Sequence, residues 1–321
     1  MTRVYLIWLG LMGLLWSTEA RAQAVPSPVE NIDFVVTFGS AADKSWGDDD
    51  FSQTFFFLVP QARREPLYIR VFDPDCGGKH DESKSGWNTS TNFSLYGGKG
   101  CYSTPDARKV DPVGNYRAGV LLKQETFAAD PAYDGQWYTF GPLNPLEGEL
   151  VPEFAGYVFK ILTQGLQGDD GNLYRYFLSS SPTQNVPVEG GNAFTYEYCF
   201  RLKGQQGERT HLYPFVNDRV VSIRQSNFDL DGDASLNLFS IAKNGQPATV
   251  SGDNEWRDSV YPIVPQEHGL SLDLRLVNRS RAANDMVFYV TDQYETALPF
   301  FAVPLGGPPR YNYEINVRIR K

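Results

Sequence analysis

Tyr196-Glu-Tyr-Cys-Phe-Arg-Leu202 alternates apolar and polar side chains, the period-2 signature of a strand with one covered face and one wet one. Tyr196, Tyr198, Phe200 and Leu202 form the apolar face. Cys199 falls with Glu197 and Arg201 on the other, so its thiol is expected to be only partly covered. The same alternation recurs at residues 33–38, 54–59, 67–72, 91–96, 157–162 and 173–178, and again at 220–224, 235–240, 270–277, 286–291 and 311–320. These runs are rich in Tyr, Phe, Val and Ile and are separated by Gly, Pro, Asp and Asn turns. No window keeps a helical i, i+3, i+4 stripe for three turns. The expected fold class is all-β, with antiparallel sheets packed as sandwiches.

The runs also fall into two ordered sets. Phe72-Asp73-Pro74-Asp75 has a counterpart in Phe228-Asp229-Leu230-Asp231, and Asp134-Gly-Gln-Trp137 has one in Asp253-Asn-Glu-Trp256. A Pro-rich acidic connection follows each tryptophan, and strand blocks follow in the same order up to Tyr196-Glu197 and Tyr313-Glu314. The first set is longer between its Asp-x-Asp turn and its tryptophan. This predicts two tandem sandwich domains related by internal duplication, residues 25–204 with a long insertion and residues 205–321, joined at Lys203-Gly-Gln-Gln-Gly-Glu208. Solenoid repeats need shorter units and more copies.

The chain has 321 residues, with 38 acidic against 29 basic side chains and a formal net charge of −9. That balance argues against a nucleic-acid or anionic-membrane partner, which needs clustered Lys and Arg. Residues 1–24 read as a secretory signal peptide. Arg3 precedes an apolar run over residues 4–16, and Ala20-Arg21-Ala22 and Ala22-Gln23-Ala24 both offer a small-x-small cleavage pattern. The run is shorter than the roughly 20 residues a membrane span needs. A secreted or periplasmic location is expected, with no membrane span after signal removal.

Export bears on the cysteines. Cys76 and Cys101 flank a polar, Gly-rich stretch and are expected to pair as a disulfide in an oxidising compartment. The competing reading, a Cys76/His80 nucleophile, would need a stable thiolate.

Acidic turns carry the binding chemistry. Asp229-Leu-Asp231-Gly-Asp233 presents alternate carboxylates around a glycine turn, and Asp73-Pro-Asp75 is a shorter version. Gly168-Asp169-Asp170-Gly171-Asn172 is a second acidic loop in the first half, and Asp48-Asp49-Asp50 could join it. Ca²⁺ takes six to eight hard oxygens, and such turns supply several from one short segment. Calcium is therefore expected at Asp229, Asp231 and Asp233, and at Asp73, Asp75, Asp169, Asp170 and Asn172. Asp-Gly and Asp-Pro also form plain turns. The EF-hand pattern is absent.

No serine-hydrolase, zinc-protease or phosphate-loop motif occurs, and the chain is expected not to be an enzyme. Carboxylate pairs for glycoside hydrolysis have no fixed spacing in sequence, which keeps a secreted hydrolase as an alternative. Carbohydrate recognition is another. Trp46 and Trp87 lie in polar loops without a counterpart in the second half, and an exposed indole can stack on a sugar. Trp137 and Trp256 hold equivalent positions and are expected in the core. The partner expected is an extracellular protein or a glycan.

Asp49-Asp50-Phe51, Phe55-Phe-Phe-Leu-Val-Pro60, Leu67-Tyr-Ile-Arg-Val-Phe-Asp73 and Phe93-Ser-Leu-Tyr96 together resemble the pre-peptidase C-terminal (PPC) type of bacterial extracellular β-sandwich. The resemblance covers about 50 residues and implies a secreted, non-catalytic module of the kind found beside enzyme or adhesion domains. No peptidase domain precedes these residues, and the stretch from Cys76 to Cys101 is extra to the pattern.

Overall fold

A computed structural model describes residues 23–110, 116–307 and 309. The expected signal segment up to Ala22 and the expected strand at 311–320 lie outside the described residues.

The described residues are all-β, and the only helices among them are short 3-10 turns. The first strands are β1 (Ala24–Val25), β2 (Val35–Phe38), β3 (Ser52–Pro60), β4 (Leu67–Phe72), β5 (Ser90–Gly97) and β6 (Val120–Phe127). Next come β7 (Trp137–Leu143), β8 (Glu149–Val151), β9 (Gly156–Gln167), β10 (Gly171–Ser179), β11 (Asn192–Thr195) and β12 (Glu197–Leu202). Beyond residue 204 lie β13 (Arg209–Leu212), β14 (Phe215–Val216), β15 (Ser222–Phe228), β16 (Ala234–Phe239) and β17 (Asn244–Pro247). The series closes with β18 (Trp256–Pro262), β19 (Leu270–Ser271), β20 (Asp273–Asn278), β21 (Asn284–Asp292) and β22 (Phe300–Phe301).

A nine-stranded sheet runs β18-β15-β21-β12-β2-β10-β4-β7, with β1 beside β10. Its two ends match. β4 lies between β7 and β10 as β15 lies between β18 and β21, and Phe72 is registered with Trp137 as Phe228 is with Trp256. The sheet crosses residue 204 without a break, because β12 pairs with β21 from Glu197↔Tyr289 to Leu202↔Asn284. A seven-stranded sheet (β22-β11-β3-β9-β5-β6, with β8 on β9) and a four-stranded sheet (β13-β20-β16-β17) complete the layers, beside a small β14-β19 pair. Here too the order agrees, β3-β9-β5-β6 against β13-β20-β16-β17.

Alternation decides which residues meet. Tyr174, Tyr176 and Leu178 of β10 share a core with Phe55 and Phe57 of β3, Phe93 of β5 and Phe159 of β9. Phe55 and Tyr176 have ring centroids 5.4 Å apart, and Phe93 and Tyr174 5.2 Å. The same contiguous core takes in Phe288 and Val290 of β21, Leu236 and Leu238 of β16, and Leu274 and Leu276 of β20. Each large side chain withdrawn from water there contributes roughly 1.5–3 kcal/mol.

The opposite face of the nine-stranded sheet is covered as well. Val36, Phe38, Leu173, Cys199, Phe228 and Val287 form a second cluster, with Trp46 and Trp256 packed on it. This corrects the expectation for Cys199, whose thiol is fully buried and donates to the Gly47 carbonyl at 3.3 Å.

Cys76 and Cys101 are also corrected, since both are free, buried thiols. β5 lies between them. Cys76 lies beside Thr89 at the start of that strand, and the Cys101 sulfur faces the Tyr96 carbonyl at 3.5 Å near its end. An eight-residue strand spans roughly 25 Å, whereas a disulfide needs Cα atoms about 4.4–6.8 Å apart.

Candidate metal centre

The sheet ends position the acidic turns. Because Phe228 pairs with Trp256 at the end of the β15/β18 ladder, the residues after Phe228 must meet those before Trp256. Asp229, with φ 58°, and Asp231, with φ 53°, curl the chain in the left-handed region, which aspartate tolerates better than most residues. The amide of Asn254 donates to Asp229 Oδ1 at 2.6 Å, and Asn284 Nδ2 donates to the Asp229 carbonyl at 3.0 Å. One oxygen each from Asp229, Asp231 and Asp253 falls within 4.8 Å of the others. Asp229 is buried while Asp231 and Asp253 face solvent. Its Oδ2 is shut off from water and has no hydrogen-bond partner among the described residues. Burial pushes the Asp229 carboxyl up to about 7, and repulsion from Asp231 and Asp253 adds to the effect. Asp233 stands at the edge of this group, its carbonyl taking the amides of Arg279 and Ser280.

The first half repeats the bonding between the two turns, without the three-carboxylate convergence. Asp73 has φ 58°, its amide donates to the Gln136 carbonyl at 2.8 Å, and its Oδ1 accepts the Gly135 amide at 2.6 Å. Asp75 Oδ2 accepts the Asp130 amide at 3.0 Å. Asn172 Nδ2 donates to the Pro74 carbonyl at 3.0 Å. Burial pushes both carboxyls up to about 6, with Asp134 repelling each of them.

Asp134 and Asp253 were not among the residues expected to bind metal. Each precedes its tryptophan by three residues, so the Phe–Trp pairing brings it back to the Asp-x-Asp turn. The repeat motif contained that signal, but strand pairing was needed to turn it into a contact.

Asp169 and Asp170 are used differently. Asp170 accepts the Lys84 amide at 3.0 Å and the Asn88 amide at 2.9 Å, while Asp169 accepts from Ser85 Oγ and Asn88 Nδ2. Together they tie residues 84–88 to the start of β10. The carboxylates of Asp48, Asp49 and Asp50 converge within 4.8 Å in a separate loop. There Asp48 accepts the amides of Phe38 and Phe51 at 2.8 and 2.9 Å, and Asp50 accepts that of Ser52 at 2.9 Å.

The two loop tryptophans differ in access. Trp46 packs on Phe38 with centroids 6.1 Å apart, and the Lys84 ammonium sits 4.3 Å from its ring centroid. Trp87 is 41% exposed. His80 lies between Phe34 and Phe72, at 5.2 and 5.6 Å, and burial with nearby carboxylates drives the Cys76 thiol well above its ordinary range.

No family model matches the chain, and no curated protein matches it. Among solved structures it is similar to that of the infectious bursal disease virus Gx strain, at 9% identity over 85% of this chain and 76% of that chain, with a TM-score of 0.14. The Gt strain structure of the same virus gives 9% identity, the same coverage and a TM-score of 0.13. A likeness at that level carries no argument about this chain. No helix of the described residues is long and apolar enough to cross a membrane.

Proposed function

We propose that this chain is an exported, non-catalytic binding protein that holds Ca²⁺ at an acidic end of its sheets. The observation that carries the reading is the convergence of Asp229, Asp231 and Asp253, with Asp229 Oδ2 buried and unpartnered. A hard divalent cation answers that arrangement, because it satisfies several oxygens at once and cancels their mutual repulsion. Two of the three carboxylates face solvent, so water would complete the shell and the affinity would be that of extracellular modules, about 10⁻⁴–10⁻³ M. The matched strand orders and the constant order of the sequence blocks support a common origin for the two halves. A secreted or periplasmic setting, as the PPC resemblance implies, is part of the same reading, with an extracellular protein or glycan as partner.

Thermal unfolding with Ca²⁺ and with chelator tests it. A cation that binds only the native state must raise the midpoint. No shift at millimolar Ca²⁺ would remove the proposal. A second reading, carbohydrate recognition, is favoured by the exposure of Trp87 in the inserted loop. A glycan array comparing the protein with its Trp87→Ala variant decides that one.

A further inference from the structure

We infer that the first half carries a second, more enclosed Ca²⁺ site, built by Asp73, Asp75 and Asn172 and completed by Asp134, which clasps the inserted loop to the sheet. Three oxygens carry the argument. Asp73 Oδ2, Asp75 Oδ1 and Asn172 Oδ1 are each shut off from solvent without a hydrogen-bond partner among the described residues. Their side chains are 0, 1 and 0% exposed. The residues that carry them share one turn, since Asp73 and Asp75 flank Pro74, whose carbonyl takes the Asn172 amide at 3.0 Å.

The other half of each group is already engaged. Asp73 Oδ1 holds Gly135, Asp75 Oδ2 holds Asp130, and Asn172 Nδ2 holds Pro74. These contacts fix the side chains and leave three acceptors with no donor. An unsatisfied buried acceptor is costly, more so when charged. Two carboxylates and an amide oxygen suit a hard cation, not a second hydrogen-bonding residue.

Asp134 supplies the outer wall. Its carboxylate lies where a Cβ on Gly78 would come within 2.4 Å of it, and Gly78 has φ +83°, so only glycine lets the loop pass there. Asp81 extends the clasp, with Oδ2 accepting the Gly77 amide at 2.7 Å and Oδ1 the Leu173 amide at 2.7 Å. A cation among these groups would thus tie together the end of β4, the loop at residues 77–81, the turn at 130–135 and the start of β10. With its ligands buried, the site requires a largely dehydrated ion. Ca²⁺ accepts that, whereas Mg²⁺ gives up its water reluctantly. The site does not depend on the one in the second half.

Calorimetric titration of the mature full-length chain with Ca²⁺, and separately with Mg²⁺, tests the inference. The expected stoichiometry is two Ca²⁺ per chain, falling to one in Asp75→Asn and in Asp134→Asn, and to one in Asp253→Asn. Mg²⁺ should leave the first site unfilled. Hydrogen exchange supplies a second readout: Ca²⁺ should slow exchange of amides 77–81 and 130–135 in the native chain and in Asp253→Asn, but not in Asp75→Asn. A single site that Asp253→Asn abolishes and Asp75→Asn leaves intact would overturn this inference and keep the proposed function. A single site with the reverse pattern would do the opposite, and no binding at all would overturn both.

Discussion

Asn254 donates its amide to the carboxylate of Asp229 at 2.6 Å, the shortest of several bonds that join the turn after β15 to the turn before β18. It places Asp253 beside Asp229 and spends one oxygen of Asp229, leaving the other for a ligand. Asp253→Asn removes a charge without removing bulk. In Ca²⁺ the native protein should gain stability by about 2.7 kcal/mol at 100 times the dissociation constant for each site filled. The variant should lose the second-half share of that gain, while in chelator its midpoint should equal or exceed the native one, because a repulsive carboxylate is gone. Differential scanning calorimetry in both conditions measures the difference.

Lys243 and Glu267 form an ion pair at 2.6 Å with side chains 4% and 0% exposed. Glu267 also accepts the Val264 amide at 2.9 Å and the hydroxyl of Ser240. Cutting one partner of such a pair strands a buried charge and costs about 3–5 kcal/mol. Lys243→Met should therefore lower stability to urea by that order. The double variant Lys243→Met/Glu267→Leu should recover part of the loss, so a double-mutant cycle showing simple additivity would contradict this account.

Strand periodicity was legible because it is a local property, and it places Tyr198 and Phe200 on a covered face as the core requires. It says nothing about what lies over the other face. Cys199 shares that face with Phe38 of the neighbouring strand and is buried because Trp46, from a loop distant in sequence, packs on the cluster they form. The Cys76–Cys101 expectation failed for a related reason: the strand expected at 91–96 is β5, and its position between the two cysteines, with a length that holds the thiols apart, is a three-dimensional fact that residue spacing does not carry. The Asp-x-Asp turns were readable from their spacing. Asp134 and Asp253 required knowing that Phe72 faces Trp137 and Phe228 faces Trp256, a pairing across the sheet.

Glu30 is fully buried, accepts the Ser27 amide at 2.5 Å, and has an Oε1 with no hydrogen-bond partner among the described residues. Burial pushes its carboxyl up to about 8, against 4.5 in an unfolded chain. Between those values the folded state keeps a proton that the unfolded state has released. Stability from this group is therefore fully present below about pH 4.5 and is lost as pH rises through about 8. The loss is on the order of 5 kcal/mol. Glu30→Gln should remove that slope, so the difference in urea stability between variant and native chain should grow in the variant's favour from pH 5 to pH 8.5. A difference that stays flat with pH would show that the carboxyl is ionised in the fold.

Gln23 and Ala24, the last two residues of the expected leader, belong to the fold. The Gln23 side chain is 1% exposed and bonds through its amide to both the amide and the carbonyl of Val188. The Leu178 amide donates to the Gln23 carbonyl at 3.0 Å, and Ala24 and Val25 pair with Phe177 and Tyr176. Processing after Ala24 would strip Gln23, leave the buried Val188 and Leu178 amides without the acceptors Gln23 gives them, and halve β1. Processing after Ala22 keeps all of it. Under the proposed export, the processed protein should accordingly begin at Gln23, as read by intact mass and amino-terminal sequencing. A chain engineered to begin at Val25 should be destabilised by about 1–3 kcal/mol for each buried group left unpaired. Recovery of a native protein beginning at Val25 with unchanged stability would break this link between the leader and the sheet.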